Sequence, residues 1–345
     1  MSNDIPIEIQ EEIMKRLPVK SLIQFRSVCK AWKSLIDGSD FIKHYSGQQQ
    51  HLLLGYSGYY PEGKYVSVVD NDSFPQQKVY LALPNMLKYF KMIGGSHGLY
   101  GKDGDDKRSR AILWNPLIRK VVVVVVPTRM DETKIGFGIE RWRDVESLRC
   151  IRRQVEVPVN GCLYWLAADR IATDGGFRIY KLIISFSLTS EEFGEINLPA
   201  TLAIQSYLNL SMSKLRESLV VLEVVADEMV SVAWRMEGGA SKSFTKLFIV
   251  NIPFVSVKVR GFRKNDESII EFVVAHRRWD DLYAPRSFAL YNPYSKQSKN
   301  VGISEFARTF FVDFYMETLL LVDQPDFIVY DNDNCRFEIS NGRAK

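Results

Sequence analysis

IPIEIQEEIMKRLPVKSLIQFRSVCKAWKSLI, residues 5–36, decides how the rest of the chain is read. Ile5, Ile9, Ile13 and Leu17 recur every four residues, the spacing of one helical face. Asp4 is placed to cap that helix, and Glu8, Glu11 and Glu12 sit toward its positive end. Pro18 bars Leu17 from helical geometry and stops it. A second apolar set, Leu22, Phe25, Cys29, Trp32 and Ile36, follows at helical spacing, and Gly38 suits a left-handed cap. The pattern predicts three short amphipathic helices. Between Ile13 and Leu35 the ionisable residues are Lys15, Arg16, Lys20, Arg26, Lys30 and Lys33, with no acid. A segment below roughly 40 residues rarely buries enough apolar surface to fold alone. No cysteine pair or metal cluster lies within it, so a partner is expected to complete its core. Basic charge beside large apolar anchors suits an acidic protein with a groove. The plainer alternative is a helical cap on the remainder of the chain.

Working outward, 345 residues allow two domains of unequal size. Hydrophobic residues make up 46% and charged residues 25%, ordinary for a globular protein. The formal net charge of +4 is spread among acids, which argues against nucleic acid as a partner. Cys29, Cys150, Cys162 and Cys335 form no ligand-spaced pairs and suit free thiols in a reducing compartment. The opening MSNDIPIEIQ lacks a secretory pattern, and no apolar run reaches the roughly 18 residues a membrane span needs. A cytoplasmic or nuclear location is expected, with no membrane partner.

From about residue 50 the helical period fades into short apolar or alternating runs, including Tyr65–Val69, Val121–Val126, Tyr180–Phe186, Ile269–Val274 and Thr318–Val322. Turn-forming Gly, Pro, Asn and Asp separate them, which predicts an all-β domain. Leu113-Trp114-Asn115-Pro116 is echoed by Leu290-Tyr291-Asn292-Pro293, and loosely by Val329-Tyr330-Asp331-Asn332. The last two echoes lie 39 residues apart, close to the roughly 40 residues of one propeller blade. A propeller-like array is therefore expected in place of a sandwich.

The opening segment resembles an F-box of the plant type. The residues that carry the resemblance are Ile5-Pro6, Leu17-Pro18-Val19-Lys20-Ser21-Leu22, Phe25-Arg26-Ser27-Val28-Cys29-Lys30 and Trp32. The rest resembles the kelch-like F-box-associated domain. The matching pieces include Gly95-Ser96-His97-Gly98-Leu99, Leu113-Trp114-Asn115-Pro116, Gly136-Phe137-Gly138, Asn160-Gly161-Cys162-Leu163-Tyr164-Trp165 and Tyr315-Met316-Glu317-Thr318-Leu319. The resemblance implies an F-box at residues 1–45 that docks on a Skp-type adaptor and, through it, on a cullin-based ubiquitin ligase. Residues 46–345 would then recognise an unidentified target protein. It assigns Ile5, Pro6, Ile9, Ile13, Leu17, Pro18, Leu22, Val28 and Trp32 to the adaptor. No catalysis and no cofactor are implied. One departure stands out: only Ile139–Val159 separates Gly136-Phe137-Gly138 from Asn160-Gly161, shorter than is usual in this family. About one blade of strands is expected to be missing, with ring closure in question and sheet edges unpaired.

Other functions compete. A scaffold without ligase activity, or a copy that has lost its target, would share the same pattern. Gly94-Gly95-Ser96-His97-Gly98 matches a nucleophile elbow, which would make Ser96 a hydrolase serine. An elbow needs a helix next, and the residues that follow are turn formers, so a β-turn is the expected reading. Ser243-Phe244-Thr245-Lys246 lacks its companion motifs and reads as a strand edge. His44, His51, His97 and His276 show no metal spacing, and Asp331–Asn334 lacks the glycine and glutamate of a calcium loop. Trp114, Trp165 and Trp234 are expected to pack between sheets.

Overall fold

A computed structural model describes residues 5–45, 47, 49–57, 63–81, 91–96, 99–103, 110–125, 134–137, 142–145, 157–173, 176–206, 208–225, 228–238, 242–252, 255–274, 286–305, 309–324 and 328–330. The predicted helices form as α1 (Ile7–Met14), α2 (Val19–Phe25) and α3 (Lys30–Ile36). A fourth, α4 (Ser39–His44), was not anticipated, because Gly38 enters it with φ −66° and ψ 134° and so acts as an N-cap, not a left-handed terminator. Pro6 precedes α1 at its N-cap, and Asp4 lies outside the described residues.

The remainder is β. Strands β1 (Gln50–Ser57), β2 (Gly63–Val69) and β3 (Lys78–Leu81) make an antiparallel sheet whose fourth member is β22 (Thr309–Met316), paired with β1. The next sheet runs β4 (Lys91–Ser96), β5 (Leu99–Asp103), β6 (Arg110–Asn115) and β7 (Lys120–Val125), with β23 (Ile328–Tyr330) parallel to β7. Then come β8 (Lys134–Phe137) with β9 (Trp142–Val145), a two-stranded sheet. Three four-stranded sheets follow in chain order. The first holds β10 (Val157–Val159), β11 (Cys162–Thr173), β12 (Gly176–Ser187) and β13 (Phe193–Asn197), with α5 (Ala200–Ala203) after it. The second holds β14 (Leu210–Leu215), β15 (Ser218–Val225), β16 (Val230–Glu237) and β17 (Ser243–Val250). The third holds β18 (Val255–Phe262), β19 (Ser268–Val274), β20 (Arg286–Tyr291) and β21 (Ser298–Glu305).

Both faces of the first sheet are covered by neighbouring sheets, as a propeller-like array requires. Leu52, Leu54, Val66 and Phe74 of the first sheet pack on Ile269, Phe288 and Leu290 of the last. Leu53 and Tyr65 pack instead on Ile112, Trp114 and Val121 of the second. Val121, Val122 and Val123 are all buried, so consecutive residues pointing to opposite faces are both covered. Strands β22, β4, β10, β14 and β18 each touch the next, and β18 touches β22. Ring closure, left in question by the sequence, is met by this cycle of contacts. Among the described residues β8 and β9 form a two-stranded sheet against β4, while the other sheets meet in a cycle.

Turn chemistry explains the returns. Asn160 (φ 48°) and Gly161 (φ 71°) make the two-residue link between β10 and β11, where both residues need a left-handed backbone. The two Asn-Pro echoes are turns, as read: Asn115 Oδ1 accepts from the Leu117 amide, and Asn292 Oδ1 from the amides of Tyr294 and Ser295. Thr318–Val322 has the pattern of a strand but does not form one. Its chain turns, with Leu321 at φ 73°, and its apolar residues Leu319 and Val322 are buried against the helices. The strand there is β22, which ends before it.

Burial holds the Tyr65 and Tyr315 phenols well above their ordinary value near 10. A raised folded-state value contributes stability that is present below pH ~10, where unfolded tyrosine ionises, and is lost as pH climbs. Guanidine midpoints should therefore fall between pH 9 and 11, and Tyr65→Phe should flatten that fall. An equal slope in the variant would refute this assignment.

Candidate functional site

The helices present two faces of different fate. On α1 and just before it, Ile5 (53%), Ile9 (51%) and Ile13 (49%) remain exposed, together with Ile7, while Met14 on the opposite side is buried. Val28, in the bend between α2 and α3, is 63% exposed. Pro6 is exposed as well, and Leu17, Pro18 and Trp32 are half-buried. These residues leave a stripe of aliphatic surface on a small helical unit. Lys20, Lys30 and Lys33 are exposed on the same helical unit, whereas Arg26 is not free: its guanidinium pairs with Asp37 and reaches the Val322 carbonyl.

One residue assigned to this surface is misplaced. Leu22 is fully buried, inside a core of Met14, Val19, Ile36, Phe41, Ile42 and Tyr45 closed by Leu319 and Val322. Periodicity correctly identified an apolar position but not what covers it, and the cover is this chain's own later segment. Leu22→Ala should thus cost folding stability of about 2–5 kcal/mol, the usual toll of a core cavity, measurable by denaturant unfolding. Val28→Ala, by contrast, should leave stability almost unchanged. Trp32 braces the stripe from below: its Nε1 donates to Gln10 Oε1 at 2.6 Å, linking α3 to α1, and its ring meets Phe25 at 5.2 Å. Cys29 Sγ accepts from the Trp32 amide and caps α3. Ile7, missed because it falls two residues off the four-residue stripe, adds to the exposed set.

The Leu17-Pro18-Val19 turn is pinned from the inside. Tyr45 Oη donates to the Leu17 carbonyl at 2.7 Å. The Val19 amide, an orphan donor at the start of α2, donates to Glu317 Oε2 at 3.1 Å. Glu317 Oε1 faces His51 Nε2 at 3.1 Å, and His51 Nδ1 faces Ser67 Oγ at 3.2 Å, which in turn meets Tyr315 Oη at 2.9 Å. Burial, with the nearby Glu317 charge second, holds the Tyr45 phenol above its ordinary value. Serine, histidine and glutamate in this order suggest a nucleophilic triad. All three are buried, however, and the second oxygen of Glu317 is committed to α2. The string is a joint between helices and sheet. Backbone approach is close as well, since a Cβ at Gly47 would overlap the Glu317 carbonyl.

Ser96 ends β4 and the chain returns as β5 at Leu99, so a strand follows it, not a helix. Ser243–Lys246 lies in β17, the outermost strand of its sheet. Asp331–Asn334 falls outside the described residues. Among the described residues no group of histidine, cysteine and carboxylate side chains could hold a metal. No described helix is long and apolar enough to cross a membrane.

Comparison with known proteins agrees with this layout. The F-box domain family model matches residues 2–44. An F-box/kelch-repeat protein of Arabidopsis thaliana is 24% identical over 319 residues, covering 78% of this chain and 85% of that protein. An F-box protein of the same plant is 26% identical over 235 residues, covering 57% of this chain and 59% of its own length. An F-box only protein, also from Arabidopsis thaliana, is 28% identical over 231 residues, and the chain spans 58% of it. Among solved structures, a Bombyx mori GH32 beta-fructofuranosidase aligns over 83% of this chain and 56% of its own, at 9% identity and a TM-score of 0.28, a likeness that carries no argument. The chain thus carries an F-box domain over residues 2–44 and is similar over much of its length to F-box/kelch-repeat proteins of Arabidopsis thaliana, with an all-β, propeller-like domain after the F-box.

Proposed function

We propose that this chain is the target-recruiting subunit of a Skp–cullin–F-box ubiquitin ligase. Residues 1–45 dock on the Skp-type adaptor, and residues 46–345 hold the protein to be ubiquitinated, in the cytoplasm or nucleus. Such a subunit makes and breaks no bond; it raises the target's effective concentration at the ubiquitin-charged enzyme and orients it. The observation that carries the reading is the exposed stripe of Ile5, Ile9, Ile13 and Val28 on a helical unit whose other face is already satisfied internally. A soluble chain rarely leaves contiguous aliphatic surface in water without a partner for it. Pro6, Leu17, Pro18 and Trp32 border or support that stripe, and Leu22 holds it from beneath.

The test is co-precipitation of the purified full chain with a Skp adaptor and a cullin. Capture of both supports the ligase subunit. Capture of the adaptor without cullin supports the scaffold reading, and capture of neither removes the proposal.

A further inference from the structure

The last four-stranded sheet carries an imbalance of charge at one end. Glu271 on β19 is 1% exposed, and its oxygens accept from Arg286 on β20 at 2.5 Å and from Arg260 on β18 at 2.6 Å. Lys258 lies directly opposite Glu271 across the β18–β19 ladder. Strand alternation puts Lys258, Glu271 and Arg286 on one face of the sheet, and Arg260, at a bulge in β18, joins them through its bond to Glu271. Ile269 and Phe288 continue that face into the core shared with the first sheet. Three cations therefore surround one carboxylate. Lys258 is half-buried and, among the described residues, has no hydrogen-bond or ion-pair partner, while Arg260 and Arg286 each keep 24% of their side chains exposed. Burial opposes the charged form of Glu271, but the two guanidiniums outweigh it and keep its carboxyl below the usual range. Burial, and then Arg260, push the Lys258 ammonium down from its ordinary value. Among the described side chains two positive charges thus stand in excess where water is partly excluded, an arrangement that an incoming anion would relieve.

The position matters too. Phe288, two residues from Arg286, stacks edge-on against Phe310 at the start of β22, whereas the joint to the helices is at the other end, just past Met316. Along eight residues of strand the two ends are roughly 20 Å apart.

We propose that Lys258, Arg260 and Arg286 form a recognition site for an anionic side chain, a carboxylate or a phosphoryl group, on the target polypeptide, at the end of the β domain remote from the adaptor-docking helices. The proposal rests on the reading of the β domain as a target binder. Guanidiniums suit planar bidentate contact with either oxyanion, and the lysine adds a point charge.

Fluorescence anisotropy on the full chain tests it, using a labelled octaglutamate peptide, an equal-length peptide with alternate phosphoserines, and a neutral Gly-Ser control. One or both anionic peptides should bind in preference to the neutral one, and the stronger of the two identifies the oxyanion. Lys258→Met should weaken that binding at least about tenfold, whereas Lys43→Met, which removes the same charge on α4, should not. The Lys258 variant should melt at the parent temperature or above, since Glu271 keeps both arginines and a crowded cation is gone. Equal binding of all three peptides, or equal loss in both lysine variants, would overturn the site. Adaptor co-precipitation by Lys258→Met should stay at the parent level. Peptide binding by a chain that captures no adaptor would leave the anion site standing and remove only the ligase reading.

Discussion

Glu317→Ala is expected to loosen the helical domain from the sheets at a cost of about 3–5 kcal/mol, the scale of breaking a buried, hydrogen-bonded charged group. The carboxylate is 5% exposed and serves three groups at once: the Val19 amide, His51 Nε2 and, more distantly, Tyr45 Oη at 3.5 Å. Deleting it leaves buried donors without an acceptor, each worth about 1–3 kcal/mol unpaired. Glu317→Gln keeps one acceptor oxygen and turns its amide NH2 toward the other donor, so it should lose a substantial part of the same stability. Denaturant unfolding gives the total. Hydrogen exchange localises it, because the Val19 amide and the first turn of α2 should lose protection before the sheets do. Parent-like melting together with an unchanged Val19 exchange rate would show that the joint is held by Leu319 and Val322 alone.

Ile9→Asp combined with Ile13→Asp should abolish adaptor capture while leaving the fold intact. Each isoleucine is about half exposed, so neither is needed by the internal core. Complete burial of such a side chain contributes roughly 1.5–3 kcal/mol, and about half of that remains to be gained on docking. Placing two carboxylates in an apolar interface adds a desolvation cost. Together these exceed about 3 kcal/mol, a weakening of at least a hundredfold at about 1.4 kcal/mol per tenfold. Titration calorimetry with purified adaptor measures it, and circular dichroism checks the helices. Adaptor affinity within threefold of the parent would exclude this stripe as the docking face.

The exposed stripe was legible because its periodicity is local: Ile5, Ile9 and Ile13 are set by helix geometry alone. So were the buried valines of β7 and the Asn-Pro turns at Asn115 and Asn292, where a short stretch contains its own physical reason. What escaped the sequence is long-range. Leu22 and Ile9 look alike as apolar helical positions, and the core that covers Leu22 but not Ile9 is closed by Leu319 and Val322, some 300 residues on. Thr318–Val322 has the composition of a strand, yet a buried turn needs the same apolar residues. Glu317 looked like an ordinary family-pattern residue, and its bond to Val19 spans 298 positions. The cluster around Glu271 arises from three neighbouring strands and has no contiguous motif.

The first sheet is stitched from both ends of the β domain, since β1 pairs with β22. During synthesis, β1 to β3 emerge early and must wait for Thr309–Met316 before their sheet is whole, and the helices wait still longer for Leu319 and Val322. Domains otherwise tend to fold from the N-terminus as they are made. Here the first-made segment is the last to be finished. A ribosome that stalls before residue 322 releases a product whose F-box lacks part of its floor, so truncation of the β domain is felt in the helices as well.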